Sequence, residues 1–476
     1  MNLWTKEELL QALSTELLDH NLQDSLANDE VVIDSRKTPK SGLFIALKGE
    51  INDGHDFLEQ AFTNGCKVAL IQDSQSLVKI PHQQFLLVKD TFKSLYKLAE
   101  FSRQRSLAKI IAITGSVGKT GTKELLKNAF SAYGKTFATE GNLNNHFGLP
   151  LSLCNFSRDC AYGIFELGMN HLGEIEPLSR LAKPHLAIIT NVGPAHIEHF
   201  KNEEEIALAK SEIFCGIVDG GSVLLNKDNQ HFEFLVKRAQ VSGVKDQNIV
   251  SFGEKKGSDY QILANHIINS FTSEVQLQLK NAIGISYKIS TSHLATIFNS
   301  TIVVACLDML GRDLSDGLKT FCNLQTPVGR GKISEINLDG KNITIIDDSY
   351  NASVLSMRAG LNYAENLKKV LKNKQRVVAA LGDMLELGEK SLELHEKVLG
   401  FLEEFFVDFA VLVGKEMINA AKTTVKIPNK TFLDSNLASL EIKDLLRDGD
   451  ILYVKGSRGM KMEKIIEQLT DKTSAH

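Results

Sequence analysis

The chain has 476 residues, about three times the ~150 residues of a typical domain, so two to four domains are expected and a single small module is excluded. Hydrophobic residues make up 43% of the chain and charged residues 24%, as in ordinary globular proteins, which excludes global disorder. The 54 Lys and Arg residues nearly balance the 58 Asp and Glu residues, so the chain lacks the strong basic field that would hold nucleic acid.

The first segment, to about residue 86, predicts a small α/β domain. Leu9, Leu10, Leu13 and Leu17 recur at helical spacing, and short apolar runs separated by turns follow. The segment lacks the basic stretch and unbroken apolar run of a signal peptide, and no later run approaches the roughly 18 residues of a membrane span. The six cysteines include no C-x-x-C pair, which is typical of reduced thiols rather than a disulfide framework. We therefore expect a soluble, cytoplasmic protein with no membrane span.

Buried parallel strands are predicted in the rest of the chain. A helix over residues 92–105 leads into a continuous apolar run at residues 109–113, and later runs alternate with helical stretches, the rhythm of βαβ units. The rhythm restarts with apolar runs at residues 343–346, 377–381, 409–413 and 451–454. We predict an α/β fold of three domains with hinges near residues 86 and 325. They are a small domain over residues 1–86, a central parallel-sheet domain over residues 87–325 and a Rossmann-like domain over residues 326–476.

A phosphate-binding loop is predicted where the first central strand ends. The stretch reads ITGSVGKTGTKELL, in which a glycine-rich turn joins the strand to a helix beginning near Lys119. Backbone N–H groups of such a turn and the helix N-terminus point at one spot and suit a polyphosphate. Lys119 would reach the β/γ phosphates and Thr120 would bind Mg²⁺, although Ile113 stands where the common Walker pattern has glycine. The predicted nucleotide-binding residues are Gly115, Ser116, Gly118, Lys119, Thr120 and Gly121.

Polar residues at the ends of later strands predict a metal site beside that loop. Glu166 follows one predicted strand and His196 the next, at the edge of a parallel sheet where ligands gather. Mg²⁺ prefers oxygen ligands, whereas His196 and His199 also suggest zinc, which the lack of an H-E-x-x-H motif and of a nearby cysteine disfavours. Lys210 follows three glutamates on a probable helix, and periodicity alone indicates a solvated surface lysine.

Two further polar groups allow more than one interpretation. The asparagines of TEGNLNNHFGLPL are either a polar turn or a loop that hydrogen-bonds a polar ligand. Arg330, Asp348, Lys455 and Arg458 adjoin apolar runs of the last domain, where cationic side chains suit phosphate or carboxylate. Each of these residues alone is a weak signal.

Together these stretches resemble the Mur ligase family over nearly the whole chain. The N-terminal similarity lies in DSRKTPKSGLFIALKGEINDGHDF, which is similar to the family's UDP-sugar-binding domain. The central motifs are TGSVGKTGTK, TEGNLNNHFGLPLSL, FELGMNHLGEI, TNVGPAHIEHF and AKSEIF, and the C-terminal ones are VGRGK, DDSYNAS, ALGDMLELG and VKGSRGMK. The resemblance is greatest to the member that adds D-Ala-D-Ala to UDP-N-acetylmuramoyl-tripeptide in peptidoglycan synthesis.

The resemblance implies a role for each matching residue. Lys119 and Arg330 match residues that contact the phosphates of ATP, Asp348 matches the ribose contact, and Asn299 matches an adenine contact. Lys210 matches a lysine that the family carbamylates, a change that reverses the sign of its charge and supplies oxygen ligands for Mg²⁺. The implied catalytic residues are Lys119, Lys210, His196 and Arg330, and the implied metal-site residues are Thr120, Glu166, His196 and Lys210. The implied substrate-binding residues are Asp34, Ser35, Arg36, Asp53, Gly54, His55, Asn142, Asn144 and Asn145.

The implied reaction joins a peptide carboxylate to an amine through an acyl phosphate made from ATP. Its partners would be UDP-N-acetylmuramoyl-tripeptide, D-Ala-D-Ala, ATP and Mg²⁺, the last expected as two ions, and the enzyme is expected to act as a monomer. No protein nucleophile is required, and His196 is a candidate base for the amine if it does not bind metal.

The chain also departs from the family. Ser353 and Val354 stand where the family has Asn-Pro, and Asn299 alone survives from the family's adenine motif. Rival interpretations are the preceding ligase, whose D-N-P-R string is missing here, and folylpolyglutamate synthetase, which lacks the N-terminal segment. Two alternatives from other classes of protein also stay open: a P-loop phosphotransferase and a non-catalytic nucleotide switch.

Overall fold

The computed structural model describes residues 3–24, 29–194, 197–269, 271–324, 326, 328–371 and 375–470. Within these residues the strands form three sheets with helices packed on them, which confirms the predicted α/β class. None of the helices described is both long and apolar enough to cross a membrane. The predicted boundary near residue 325 falls between the second and third sheets, whereas the one near residue 86 falls within the strand Gln84–Val88 of the first sheet. The domain boundaries remain predictions.

The N-terminal part forms a small sheet with two helices. Its elements are α1 (Lys6–Ala12), β1 (Leu17–His20), β2 (Glu30–Val32), β3 (Gly42–Ile45), α2 (Leu58–Thr63), β4 (Val68–Ile71) and β5 (Gln84–Val88). The strand order is β1-β5-β4-β3-β2, in which β2 to β5 are parallel and β1 is antiparallel to β5. Leu17, predicted with the leucines of the first helix, instead pairs with Val88 in β1, because tertiary pairing overrides the local periodicity.

The central part is built on the largest sheet. Its first elements are α3 (Thr91–Gln104), β6 (Lys109–Thr114), α4 (Lys119–Phe130), β7 (Thr136–Ala138), α5 (Gly148–Cys154), β8 (Tyr162–Glu166), α6 (Ile175–Ala182), β9 (Leu186–Ile189) and α7 (Glu203–Ser211). The later ones are β10 (Ser222–Asn226), α8 (Phe232–Val241), β11 (Ile249–Gly253), β12 (Tyr260–Asn269), β13 (Thr272–Gln278), β14 (Gly284–Ile289), α9 (Leu294–Met309) and α10 (Leu314–Lys319). The order is β14-β13-β12-β11-β10-β9-β6-β8-β7.

The middle of this sheet is parallel and buried, as predicted. β6 pairs with β8 on one side and β9 on the other, so the carboxyl ends of the three strands are neighbours. The strands β12, β13 and β14 instead form an antiparallel meander, which the prediction of parallel units did not include. Burial alternates along β13, as expected of a strand with one face towards solvent.

The C-terminal part repeats the parallel arrangement. Its elements are β15 (Lys332–Leu338), β16 (Lys341–Asp347), α11 (Val354–Leu371), β17 (Val377–Gly382), α12 (Ser391–Glu404), β18 (Phe409–Val413), α13 (Lys415–Thr424), β19 (Asn429–Phe432), α14 (Ser435–Leu445), β20 (Ile451–Lys455) and α15 (Glu463–Thr470). The order is β15-β16-β20-β17-β18-β19, with β15 antiparallel to its neighbour and the others parallel. The loops that follow β16 and β20 therefore leave the same edge of the sheet.

Buried contacts join the N-terminal part to the central part. The indole N–H of Trp4 donates to the carbonyl of Cys154 at 2.9 Å, and the Arg105 guanidinium lies 4.1 Å from the centre of the Trp4 ring. The Asn155 side-chain amide both accepts from and donates to the backbone of Val31, each at 2.8 Å. Because these groups are largely buried, they hold the small sheet against the central one.

We expect the apolar face of α3 to be essential for stability. Leu98 is fully buried on this helix, whereas Leu107, a few residues later, is 96% exposed. Leu98→Ala should lower the free energy of unfolding by about 2–5 kcal/mol, because it leaves a cavity, and Leu107→Ala should change it by less than about 0.5 kcal/mol. Urea denaturation followed by tryptophan fluorescence measures both variants. Equal effects would contradict the assignment of α3 to the core.

Candidate active site

The predicted phosphate loop occupies the turn between β6 and α4. Gly115 and Gly118 have positive φ angles of +153° and +86°, and a Cβ on Gly115 would collide with Thr190 Oγ1. Glycine is therefore required at Gly115 by both backbone conformation and space. The loop is also tied to the segment after β9, since the N–H of Ser116 donates to the Asn191 carbonyl at 2.8 Å. Contacts within the protein therefore fix the backbone conformation of residues 115–118.

Lys119 begins α4 and turns back over this loop. Its ammonium donates to the carbonyl of Gly115 at 2.7 Å. Burial lowers the pKa of Lys119 from its ordinary value; nearby Glu166 opposes this shift and the positive charge of Arg330 adds to it. Arg330 belongs to the C-terminal part, so cations from two parts of the chain lie close together at the phosphate loop.

Glu166 is the carboxylate at the centre of the site. It ends β8, is only 2% exposed, and accepts a hydrogen bond on each oxygen, from Thr120 Oγ1 and from Asn144 Nδ2, both at 2.9 Å. Its backbone N–H donates to Thr139 Oγ1 at 3.1 Å. A buried carboxylate held in this way keeps a fixed orientation towards α4.

Lys210 lies on α7 and is 3% exposed, so the interpretation as a solvated surface lysine is wrong. Burial is the main cause that holds the pKa of Lys210 well below its ordinary value, and the charge of Lys119 lowers it further. The residues that the structure describes offer its amine no hydrogen bond or ion pair. The Asn202 side chain caps the start of α7 by accepting from the N–H of Glu205 at 3.0 Å, which fixes the helix that presents Lys210.

The side chains around Glu166 suit a hard divalent cation. A carboxylate and a threonine hydroxyl are oxygen ligands, and Mg²⁺ commonly takes only one or two protein ligands beside waters and phosphates. Among the described residues, no three His, Cys, Asp or Glu side chains converge as they would at a zinc site. His196 lies outside the described residues. His199 is exposed, with its ring 4.5 Å from that of His171.

The C-terminal part contributes the loops after β16 and β20. The Arg330 guanidinium lies 4.1 Å from the centre of the Tyr350 ring, and that of Arg458 lies 5.5 Å from the same ring. Asp348 Oδ2 accepts two hydrogen bonds, from Lys455 Nζ at 2.6 Å and from the Tyr453 hydroxyl at 3.2 Å. The structure therefore places Asp348 in a largely buried ion pair.

The remaining predicted residues lie in three places. Asn299 adjoins the phosphate loop, since a Cβ added to Gly118 would lie 3.1 Å from its Oδ1. Asn144 reaches Glu166, whereas Asn145 accepts from the N–H of Gly148 at the start of α5 and Asn142 is exposed. The N-terminal candidates Asp34, Ser35, Arg36, Asp53, Gly54 and His55 lie in turns that follow β2 and β3.

The N-terminal turns are built by local hydrogen bonds. Asp34 accepts from the N–H and guanidinium of Arg36, and Asp53 accepts from the N–H and ring of His55. Ser35 is buried and donates to Gln60 at 2.6 Å. Arg36 is the member of this group whose side chain is mostly exposed, at 78%.

Several residues of the site were not predicted. Thr139 and Thr190 follow strands β7 and β9, and Tyr350 follows Asp348 in the sequence. Their position just beyond the ends of strands is the signal that could have identified them, since ligands gather at the carboxyl ends of parallel strands.

A cavity of about 700 Å³ opens between the central and C-terminal parts. Its wall includes Glu124 of α4 and Gly331, which adjoins Arg330, so the cavity borders the elements that carry the phosphate loop. Clefts of this size between domains commonly hold small ligands.

Comparison with known proteins agrees with this geometry. Residues 113–307 match the Mur ligase middle domain, and residues 332–458 match the Mur ligase glutamate ligase domain. A UDP-N-acetylmuramoyl-tripeptide--D-alanyl-D-alanine ligase from Rickettsia prowazekii is 34% identical over 98% of this chain and 99% of its own.

Solved structures show the same three-part fold. The crystal structure of MurF from Acinetobacter baumannii aligns with a TM-score of 0.83 and 30% identity, covering 98% of this chain and 99% of its own. MurF from Thermotoga maritima, solved in complex with ADP, aligns with a TM-score of 0.77 and 24% identity over 95% and 99% of the two chains. The middle-domain match spans the phosphate loop, Glu166 and Lys210, and the chain belongs to the Mur ligase family.

Proposed function

We propose that this protein is an ATP-dependent ligase that joins D-Ala-D-Ala to UDP-N-acetylmuramoyl-tripeptide in cytoplasmic peptidoglycan precursor synthesis. The observation that carries this proposal is the meeting of Lys119, Glu166 and Lys210 at one phosphate loop with Arg330 from the C-terminal part. The full-length similarity to the Rickettsia ligase supports the choice of substrates.

The chemistry requires an activated carboxylate. A carboxylate is a poor electrophile, so the γ-phosphoryl of ATP passes first to the terminal carboxylate of the tripeptide and gives an acyl phosphate. The amine of D-Ala-D-Ala then attacks the acyl carbon, an amide forms, and inorganic phosphate leaves. Both steps gather negative charge, which buried cations stabilise more strongly than exposed ones.

The residues of the site have different roles in this reaction. Apart from that of Ser116, which donates to Asn191, the N–H groups of residues 115–118 would hold the phosphates together with the Lys119 ammonium. Arg330 lies close enough to lower the pKa of Lys119 and would add a second positive charge. Asp348 has both donors on Oδ2, so its Oδ1 is available to a ribose hydroxyl within the described structure. Thr120 and Glu166 would hold Mg²⁺, which supplies charge neutralisation of the phosphates when bound.

The environment of Lys210 fits carbamylation. A neutral amine attacks CO₂, an N–C bond forms, and one proton leaves to solvent, so the lowered pKa favours the reaction. The product carboxylate would lie beside the Lys119 ammonium, where it removes a repulsion. Lys210 in this form would supply oxygen ligands to the magnesium site.

The turns after β2 and β3 are the proposed site for the UDP-sugar. Both strands are parallel neighbours, so their following turns share one edge of the sheet. The exposed guanidinium of Arg36 suits a diphosphate, and it donates from Nε and Nη2 to the two oxygens of Asp34, which fixes its orientation.

The substrates can be tested directly. Purified protein with ATP and Mg²⁺ should release inorganic phosphate only when UDP-N-acetylmuramoyl-tripeptide and D-Ala-D-Ala are both present, with a pentapeptide product seen by mass spectrometry. A stable phosphorylated product would indicate a phosphotransferase instead. Binding of ATP without any phosphate release would indicate a nucleotide switch.

Lys119→Ala should lower phosphate release at least about 100-fold, because it removes a buried cation that stabilises the transferring phosphoryl group. The control is Lys127→Ala on the same helix, which should retain activity within about threefold. Circular dichroism and thermal melting should show that both variants are folded. Substantial turnover by folded Lys119→Ala would contradict the assignment of the phosphate loop.

Lys210→Ala should also lose most activity, and short carboxylates such as formate or acetate should restore part of it by replacing the carbamate oxygens. Lys237→Ala, an exposed lysine on α8, serves as the control and should show no response to added carboxylate. Intact-protein mass spectrometry after trapping of the carbamate should show a mass gain that Lys210→Ala lacks. Full activity of the variant without added carboxylate would exclude the carbamate.

A further inference from the structure

The second substrate of the proposed reaction poses a recognition problem. D-Ala-D-Ala carries its nucleophilic amine at one end and a carboxylate at the other. Two extended residues span about 7 Å, so the carboxylate lies outside the reacting centre while the amine attacks. A cation placed at that distance would select the dipeptide and align its amine.

Most cations at the cleft already have another task. Lys119 is bonded to the phosphate loop and Lys210 is buried with a lowered pKa. Lys455 is 4% exposed and paired with Asp348, and Arg330 is half-buried at the phosphates. At Lys119, Lys455 or Arg330 a carboxylate would displace an existing partner or compete with ATP, and Lys210 is buried away from solvent.

Arg458 differs from these cations. Its side chain is 63% exposed, and it lies on the short turn Arg458–Met460 that follows β20. Its guanidinium faces the same Tyr350 ring as Arg330, at 5.5 Å against 4.1 Å. Arg458 is therefore next to the phosphate cations but further towards solvent.

The turn that carries Arg458 is firmly held. The N–H of Ser457 donates to the Asp383 carbonyl at 3.1 Å, and the Ser457 hydroxyl accepts from the N–H of Leu385 at 2.9 Å. Nη1 of the Arg458 guanidinium donates to Glu463 Oε1 at 3.1 Å. An arginine has five N–H donors, and within the described residues the others of Arg458 make no hydrogen bond.

We propose that Arg458 binds the terminal carboxylate of the incoming D-Ala-D-Ala and so determines specificity for this substrate. The inference rests on the proposed function. Its chemistry is a charge-assisted hydrogen bond from the guanidinium to the carboxylate, which the ion pair with Glu463 pre-aligns. The planar guanidinium of an arginine can make two parallel N–H contacts with one carboxylate.

The test compares two acceptors, D-Ala-D-Ala and its C-terminal amide, with wild type and Arg458→Gln. Wild type should show a KM at least tenfold higher for the amide, and Arg458→Gln should raise the KM for D-Ala-D-Ala about tenfold yet no longer prefer it over the amide. The KM values for ATP and UDP-N-acetylmuramoyl-tripeptide should stay within about twofold. Arg458→Lys should keep the preference for the carboxylate with a smaller rise in KM, which tests the charge if Arg458→Gln is unstable.

Glu463→Gln is the matched control. It removes the ion pair of Arg458 but leaves the guanidinium, so the preference for carboxylate over amide should persist. If Arg458→Gln keeps the wild-type preference, or if Glu463→Gln loses it equally, Arg458 acts only through the local structure and the inference is wrong. Failure of wild type to use D-Ala-D-Ala at all would instead overturn the proposed function.

Discussion

Burial of charged groups beside one loop is the constraint on which the site depends. Lys119, Lys210 and Arg330 approach one phosphate loop, and the pKa values of both lysines are lowered there. Burial is the main cause of both shifts, and the charge of a neighbouring cation adds to each. The arrangement becomes favourable when a polyanion enters or when one lysine loses its charge. Glu166 is the neighbouring carboxylate that opposes the lowering of the Lys119 pKa.

The central sheet brings these groups together. The strand order β9-β6-β8 places the phosphate loop between Glu166 and Thr190, and Ile113 lies opposite Glu166 in register. Because Gly115 has no Cβ, the loop can approach the segment after β9 closely enough for Ser116 to bond there. A side chain at Gly115 would therefore disturb both the loop and its anchor. In the C-terminal part, the loops after β16 and β20 likewise lie at the carboxyl ends of parallel strands.

The sequence predicted those features that local pattern determines. The phosphate loop could be identified because strand, glycines, Lys119 and helix are contiguous, and continuous apolar runs indicated the parallel strands. The burial of Lys210 could not be read from its helix, since nothing in the local periodicity distinguishes it from a surface lysine, and the family resemblance alone indicated its role. The antiparallel meander was missed because strands that are exposed on one face lack a continuous apolar run.

The features that could not be predicted from the sequence are contacts between segments that are distant along the chain. Asn144 and Glu166 were predicted to have different roles, substrate binding and metal binding, yet they share a hydrogen bond in the structure. Asp348 and Lys455 are 107 positions apart and meet because β16 and β20 are neighbours. Burying such a pair is favourable only if its remaining hydrogen-bonding capacity is used. Both side-chain donors to Asp348 go to Oδ2, so within the described residues the capacity of Oδ1 is left unused and the network of this pair is incomplete.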